Sequence, residues 1–235
     1  KDWVLRIRRG GRLVGFTTLQ VYASAFDGHP INVVYSGDTI TDPDVWGSPV
    51  LARELVSAIG RITPRPIRHL VVTHYHADHV YGLQVFKDLG VTITAHQQGQ
   101  VYLHSEAAAL RLKASREELA PWIDEQTRLV PADRWVSEAT RFTLGGVEFL
   151  LQPAGPAHTP EDLVVLLPQQ GVLMAGDLVF RGRVPFVGQA DSGRWIEALN
   201  RLRESPDYEL CQIVEKKPGV LDELAAERKK LLEKE

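Results

Sequence analysis

His74, His76, Asp78 and His79 fall within six consecutive residues of a chain that has only eight histidines. Neutral imidazole and ionised carboxylate are ligands suited to zinc, and also to iron or manganese. The residues just upstream, Ile67 to Thr73, form a short, mostly apolar run that reads as a strand. If the chain stays extended past that run, His74 and His76 point the same way and can chelate one cation. Asp78 and His79 sit where the chain turns into a helix, and from there can reach a second cation. Packing explains such a density of titratable groups poorly. His29, His69, His96 and His104 are isolated in the sequence and read as ordinary surface or core histidines.

The elements around the cluster are legible from period and punctuation. Val4 to Arg8 alternates apolar and polar, Gly10-Gly11 fits a tight turn, and Arg12 to Tyr22 and Ile31 to Tyr35 are further β-rich runs. Ser36-Gly37-Asp38-Thr39 reads as a turn. Ser48-Pro49 opens a helix reaching about Ile59, with Ser48 as its cap and Pro49 at its first position. A helix is expected from His79 to Leu89, stopped by Gly90. Val91 to Ala95 follows as a strand, then helix from Gly99 to Glu125, interrupted by Pro121. Phe142 to Phe149 is a hairpin around Gly145-Gly146. Leu163 to Leu167 and Val172 to Ala175 are strands, Ser192 to Arg203 a helix, Glu209 to Val214 a strand and Leu221 to Leu232 a closing helix. A β-rich start, a β/α middle and a β/α end suit two sheets packed face to face with helices outside. One domain over residues 1–235 is expected.

Composition excludes several functions. With 44% apolar and 24% charged residues and a formal net charge of −3, the chain is ordinary for a soluble protein and offers no broad basic surface for nucleic acid or an anionic membrane. No apolar run reaches the roughly 18 residues of a membrane span. The opening residues Lys1-Asp2-Trp3 carry no signal-peptide pattern, so a cytoplasmic or periplasmic location is expected. Cys211 is the single cysteine and reads as a small core residue, which leaves no internal disulfide.

The stretch Thr73-His74-Tyr75-His76-Ala77-Asp78-His79, followed by Gly82, resembles the H-x-H-x-D-H signature of the metallo-β-lactamase superfamily. Two later stretches fall in that family's order. Ala157-His158-Thr159-Pro160-Glu161-Asp162 is similar to its third motif, which supplies one further histidine. Ala175-Gly176-Asp177-Leu178-Val179-Phe180 is similar to its fourth, which supplies a bridging aspartate. The resemblance covers residues 44 to 210, and its nearest flavour is a bacterial branch of zinc hydrolases associated with quinoprotein systems. It implies an α/β fold, a four-layer αββα sandwich, and two metal ions. By resemblance His74, His76 and His158 hold the first ion, Asp78 and His79 the second, and Asp177 bridges both. The residues support it: His158 sits in the loop begun by Gly155-Pro156, and Gly176 lets the backbone beside Asp177 approach closely.

Two departures qualify the match. The family's fifth motif brings a histidine to the second ion, yet no histidine follows His158. Lys217 stands about where it is expected, and a protonated lysine repels a cation. Glu215 is the alternative oxygen ligand. One ion, or two with the second held weakly, is therefore expected. The family's first motif finds its best match at Asp44, ahead of the Ser48-Pro49 helix, but the stretch before it, Ser36 to Pro43, does not read as the smooth strand the family has there.

The reading that follows is a zinc-dependent hydrolase. Its metal-activated water attacks the carbonyl of a small molecule: a β-lactam, thioester, lactone or other ester. Asp78 and Asp177 orient the water and move its proton. Phosphodiesters rank lower for want of a basic patch. The alternatives are a metal-binding protein without turnover, which Lys217 favours, and mononuclear iron dioxygenase chemistry. Ala77 and Asp78, where diiron reductases of the superfamily prefer glutamate, argue against the latter enzymes. Trp46, Tyr81, Phe180, Phe186 and Trp195 are candidate pocket aromatics, each reading more readily as core. The oligomeric state is not written in the sequence.

Overall fold

In a computed structural model the described residues are 2–9, 12–26, 29–41, 49–120, 123–170, 172–180, 185, 187–188 and 190–204. Gly10-Gly11, Asp44, Trp46, Ser48, Pro121, Phe186, Cys211, Glu215, Lys217 and the expected elements after residue 205 lie outside them.

Strands β1 (Asp2–Arg9), β2 (Arg12–Phe26) and β3 (His29–Thr41) pair in that order as an antiparallel sheet. The turn expected at Ser36–Thr39 is strand instead. Ser36 pairs with Leu19 and Thr39 with Thr17, so Gly37 and Asp38 together oppose Thr18. A bulge of this two-against-one kind absorbs irregular residues without ending the pairing. The glycine and aspartate that suggest a turn are the residues of the bulge. Helix α1 (Pro49–Ile62) follows, starting at the expected proline.

Strands β4 (His69–Val71), β5 (Thr92–His96) and β6 (Arg134–Val136) form a parallel sheet in that order. Parallel neighbours need crossovers, usually helical. Helices α2 (Ala77–Val80) and α3 (Leu83–Asp88) cross from β4 to β5, and α4 (Gly99–Leu103) and α5 (Glu106–Glu118) cross from β5 to β6. The single helix expected from His79 to Leu89 is thus two. The break falls at Gly82, which lies against α1: a Cβ there would come within 3.0 Å of the Ala52 Cβ. Gly90 does end α3, with φ +76°. The long helix expected from residue 99 breaks at Ser105, whose hydroxyl accepts from the Ala108 N–H and caps α5. Strand β6 is unexpected; its three residues are too few to show a period.

Strands β7 (Thr140–Leu144) and β8 (Val147–Pro153) form the expected hairpin, with Gly145 and Gly146 at φ +59° and +83°. With β9 (Leu163–Leu167) and β10 (Val172–Met174) they make an antiparallel sheet ordered β10-β9-β8-β7. The free edge of β10 runs beside β3. Helix α6 (Ser192–Glu204) follows.

Alternation along β8 and β9 assembles the layers. Leu150, Val164 and Leu166 point to one side, where they pack with Trp195, Ala198 and Leu202 of α6. Leu151, Leu163 and Val165 point to the other, against Val71 of β4 and Val136 of β6. The far face of the parallel sheet carries Ile93 and Ala95 into a cluster with Val80, Leu83 and Leu112 of the crossover helices. Helices, sheet, sheet and helix therefore stack in that order. Strand β9 is buried on both faces, which is why it is a continuous apolar run rather than an alternating one. Each fully buried Leu or Val there contributes about 1.5–3 kcal/mol relative to exposure. Among the described residues no helix is long and apolar enough to cross a membrane.

Candidate metal centre

The cluster lies at the carboxyl end of β4, between the two sheets. Beyond Val71 the Val72 N–H donates to the Thr94 carbonyl (2.9 Å), and the Thr73 carbonyl accepts from the Leu163 N–H (2.9 Å). These bonds pin the segment to β5 on one side and to the start of β9 on the other. His76 is still extended (φ −76°, ψ 153°) and caps α2, whose first turn carries Asp78 and His79. The expected strand end followed by a helical turn is what forms.

Two groups of ligand atoms converge. Nitrogens of His74, His76 and His158 lie within 4.8 Å of one another, as do ligand atoms of His74, His79 and Asp177. His76 Nδ1 and His158 Nε2 are 3.1 Å apart. Two nitrogens bound tetrahedrally to one zinc at about 2.0–2.1 Å lie roughly 3.3 Å apart, so the spacing fits a shared cation. His74 Nε2 is buried with no hydrogen-bond partner, while Nδ1 lies 3.1 Å from the Thr73 hydroxyl oxygen. A buried nitrogen without a partner is costly, and a ligated cation relieves that cost. With its proton on Nδ1 toward Thr73, His74 keeps its Nε2 lone pair for the cavity. These residues fit a divalent metal ion.

Asp177 spans the two groups. Its Oδ1 is 3.5 Å from His79 Nε2 and its Oδ2 is 3.7 Å from His158 Nε2. It sits in the turn Gly176–Leu178, entered through Gly176 at φ +56°. A Cβ on Gly176 would come within 2.9 Å of the Thr73 Cβ, so glycine is required here both by conformation and by contact with the residue that supports His74. Asp78 behaves differently. Its Oδ2 lies 3.4 Å from His79 Nε2, but its side chain is 78% exposed and it belongs to neither group. The structure thus brings five of the six expected residues together and leaves Asp78 on the rim.

The loop presenting His158 is closed on itself. Both Asp162 carboxylate oxygens accept from Thr159, one from its N–H (2.8 Å) and one from its hydroxyl (2.9 Å). The Asp162 carbonyl accepts from the N–H groups of Ala154 and Gly155. A Cβ on Gly155 would meet the Pro160 carbonyl oxygen at 2.5 Å. The His158 ring rests against Trp195 (centroids 5.2 Å) and Phe180 (6.2 Å), and Trp195 Nε1 donates to the Leu178 carbonyl (3.0 Å). Tyr81 is core, as is Trp195. Of the isolated histidines, His69 packs at a tilt against Phe142, His104 bonds the Gln100 carbonyl, and His96 joins no ligand group.

Charge is distributed unevenly. Burial, reinforced by His79, lowers His74 to about 2, so it is neutral at physiological pH. Burial and the neighbouring His158 also lower His76. Burial opposes charge on His79 too, but its hydrogen bonds to the Asp177 and Asp78 carboxylates outweigh it and raise His79 to about 9. Burial likewise works against the Asp177 carboxylate, yet His79 holds its value below the usual range. The charged form of His79 is thus favoured by the two carboxylates beside it.

Sequence reasoning passed over Thr73, Glu161 and Asp162. The signal available was two adjacent acids between His158 and an all-apolar strand, a place where carboxylates stay only if they are hydrogen-bonded.

Comparison with known proteins bears on the family and the fold. The 2,4-dinitroanisole O-demethylase subunit alpha of Nocardioides sp. (strain JS1661) is 29% identical over 160 residues, 66% of this chain but 43% of that protein. The acyl-coenzyme A thioesterase MBLAC2 of Gallus gallus is 25% identical over 182 residues, 70% of this chain and 60% of that one. The chain thus spans less than two thirds of either relative. Among solved structures, metallo-β-lactamase IND-7 superposes with a TM-score of 0.56 at 18% identity, covering 88% of this chain and 81% of that one, which gives the fold. The family model of the metallo-β-lactamase superfamily matches residues 42–211. The chain belongs to the metallo-β-lactamase superfamily and has its αββα fold.

Proposed function

We propose that the chain is a metal-dependent hydrolase of small carbonyl compounds: esters, thioesters, lactones or β-lactams. The observation that carries this reading is the convergence of His74, His76 and His158, with a 3.1 Å spacing between His76 Nδ1 and His158 Nε2 and an unpartnered nitrogen on His74. On this reading those three rings hold one ion, and His79, Asp177 and His74 outline the second position. The donor set suits zinc and equally iron or manganese.

A bound cation would lower the pKa of a coordinated water toward about 7 and polarise a carbonyl. The chain's own groups do the rest. Asp177 lies between the two ligand groups, where its carboxylate can orient a water and accept its proton. Asp78 stands exposed beside His79 and can pass a proton to a leaving group or to solvent. Trp195 and Phe180 cover the His158 side, and that dry wall strengthens electrostatic interactions within the centre. The formal net charge of −3 supplies no broad electrostatic attraction for a polyanion. The names of the relatives, an O-demethylase subunit and an acyl-coenzyme A thioesterase, support an acyl or small aryl substrate without choosing between them.

The test is a panel of chromogenic esters, thioesters, lactones and β-lactams, run with metal-loaded protein, chelated protein and H76A. Hydrolysis of at least one class, abolished by chelation and by the substitution, is expected. No metal-dependent rate on any class would leave a metal-binding protein without turnover, the alternative that Lys217 favours.

A further inference from the structure

Glu161 is a buried carboxylic side chain, 5% exposed, that belongs to neither ligand group. Its Oε1 accepts a hydrogen bond from the Tyr75 N–H at 3.1 Å, across 86 residues of sequence. Tyr75 is the residue between His74 and His76, and its own ring is buried against Trp135 and Gly99. Two residues earlier the Thr73 carbonyl accepts from the Leu163 N–H. The histidine segment and the segment opening β9 are therefore stitched twice, at Thr73–Leu163 and Tyr75–Glu161. At the second stitch no backbone carbonyl among the described residues meets the Tyr75 N–H, and the Glu161 side chain supplies the oxygen instead. Without it the N–H of a buried residue would lose this partner, which costs about 1–3 kcal/mol in a buried setting.

We infer that Glu161 is a positioning residue of the metal centre. By anchoring the Tyr75 N–H it fixes the backbone between His74 and His76, so that both imidazoles face His158. His158 itself lies on the other end of the loop that carries Glu161, so one side chain ties the two ligand-bearing segments at a fixed distance. The neighbouring Asp162 serves only its own loop, through Thr159. Glu161 is the group that acts between loops. This rests on the reading of His74, His76 and His158 as ligands of one ion. It asks for an acceptor oxygen at Glu161 rather than for its charge.

The test compares E161Q and E161A with the unaltered chain. Zinc affinity is measured by competition with a chromophoric chelator, the cobalt(II)-substituted protein by its visible absorption, and the metal-free proteins by thermal unfolding. Glutamine keeps a carbonyl oxygen for the Tyr75 N–H. E161Q is expected to bind zinc within about threefold of the unaltered chain and to keep its cobalt spectrum. E161A is expected to lose about 10–100-fold in affinity, the range typical of groups that orient metal ligands, with an altered cobalt spectrum. If E161A binds zinc unchanged while melting lower, Glu161 is a structural residue only and the inference fails. It fails equally if E161Q folds but binds as weakly as E161A. If E161A does not fold, E161Q decides: retained affinity and spectrum support the inference, and their loss overturns it. Failure of the unaltered chain to bind zinc or cobalt would instead overturn the metal reading itself.

Discussion

The two halves of the metal centre are built differently. On the imidazole half, His74 and His158 are each 1% exposed, and the loop bearing His158 is closed by Asp162 and stitched to the histidine segment by Glu161. On the carboxylate half, the side chains of His79 and Asp177 are 28% and 25% exposed and that of Asp78 is 78% exposed. Closely packed rings in a hydrogen-bonded frame define the first half; a charge network open to water defines the second. The difference teaches where rigidity has been placed. The first position is organised before any ion arrives. The second depends on the ion, or on the proton of His79, to hold its carboxylates together.

The largest expected break in this contrast is at the joint between the halves. Gly176 combines a positive φ with close approach to Thr73, which bonds His74. G176A should cost about 1–3 kcal/mol from the left-handed conformation alone, read as a lower urea midpoint, and should displace Thr73 and Asp177 together. Unchanged stability would show that Thr73 moves freely and that the joint is soft.

A smaller effect separates the halves by pH in the metal-free chain. His79 is raised from 6.5 to about 9, so its contribution to stability is complete below about 6.5 and is lost as pH rises through about 9. His74 is lowered from 6.5 to about 2, so the folded state resists its protonation and stability falls as pH drops below 6.5. Urea midpoints from pH 5 to pH 10 should therefore decline at both ends. D177N removes one of the two carboxylate charges that raise His79, and should flatten the alkaline limb while leaving the acid limb in place. An unaltered alkaline limb in D177N would mean that Asp177 does not hold the imidazolium.

The same contrast marks what the sequence discloses. The histidine cluster is readable because its spacing alone places two rings on a strand end and a further pair on the next helical turn. His158 and Asp177 are readable only through their resemblance to later motifs. Glu161 is only half readable: adjacent acids ahead of an apolar strand signal a hydrogen-bonded carboxylate, but nothing local announces that its partner is a backbone N–H 86 residues away. The fold divides in the same manner. The Gly145-Gly146 hairpin and the all-apolar β9 declare themselves through turn chemistry and composition. The bulge at Gly37-Asp38 passes for a turn because its residues are turn residues, and only pairing with β2 shows otherwise. The break at Gly82 is set by contact with Ala52 of α1, a tertiary cause without a local signal. Strand β6 is three residues long and exists through its pairing with β5.

The most direct test of the account is the number of metal ions retained per chain after equilibrium dialysis, measured by elemental analysis for the unaltered protein, H158A and H79A. The account predicts one tightly held ion in the unaltered protein and in H79A, and loss of that ion in H158A. A second ion, where present at higher metal concentration, should vanish in H79A. Equal retention in H158A and H79A, or no bound metal in the unaltered chain, would contradict the division of the centre into a preorganised half and a dependent one.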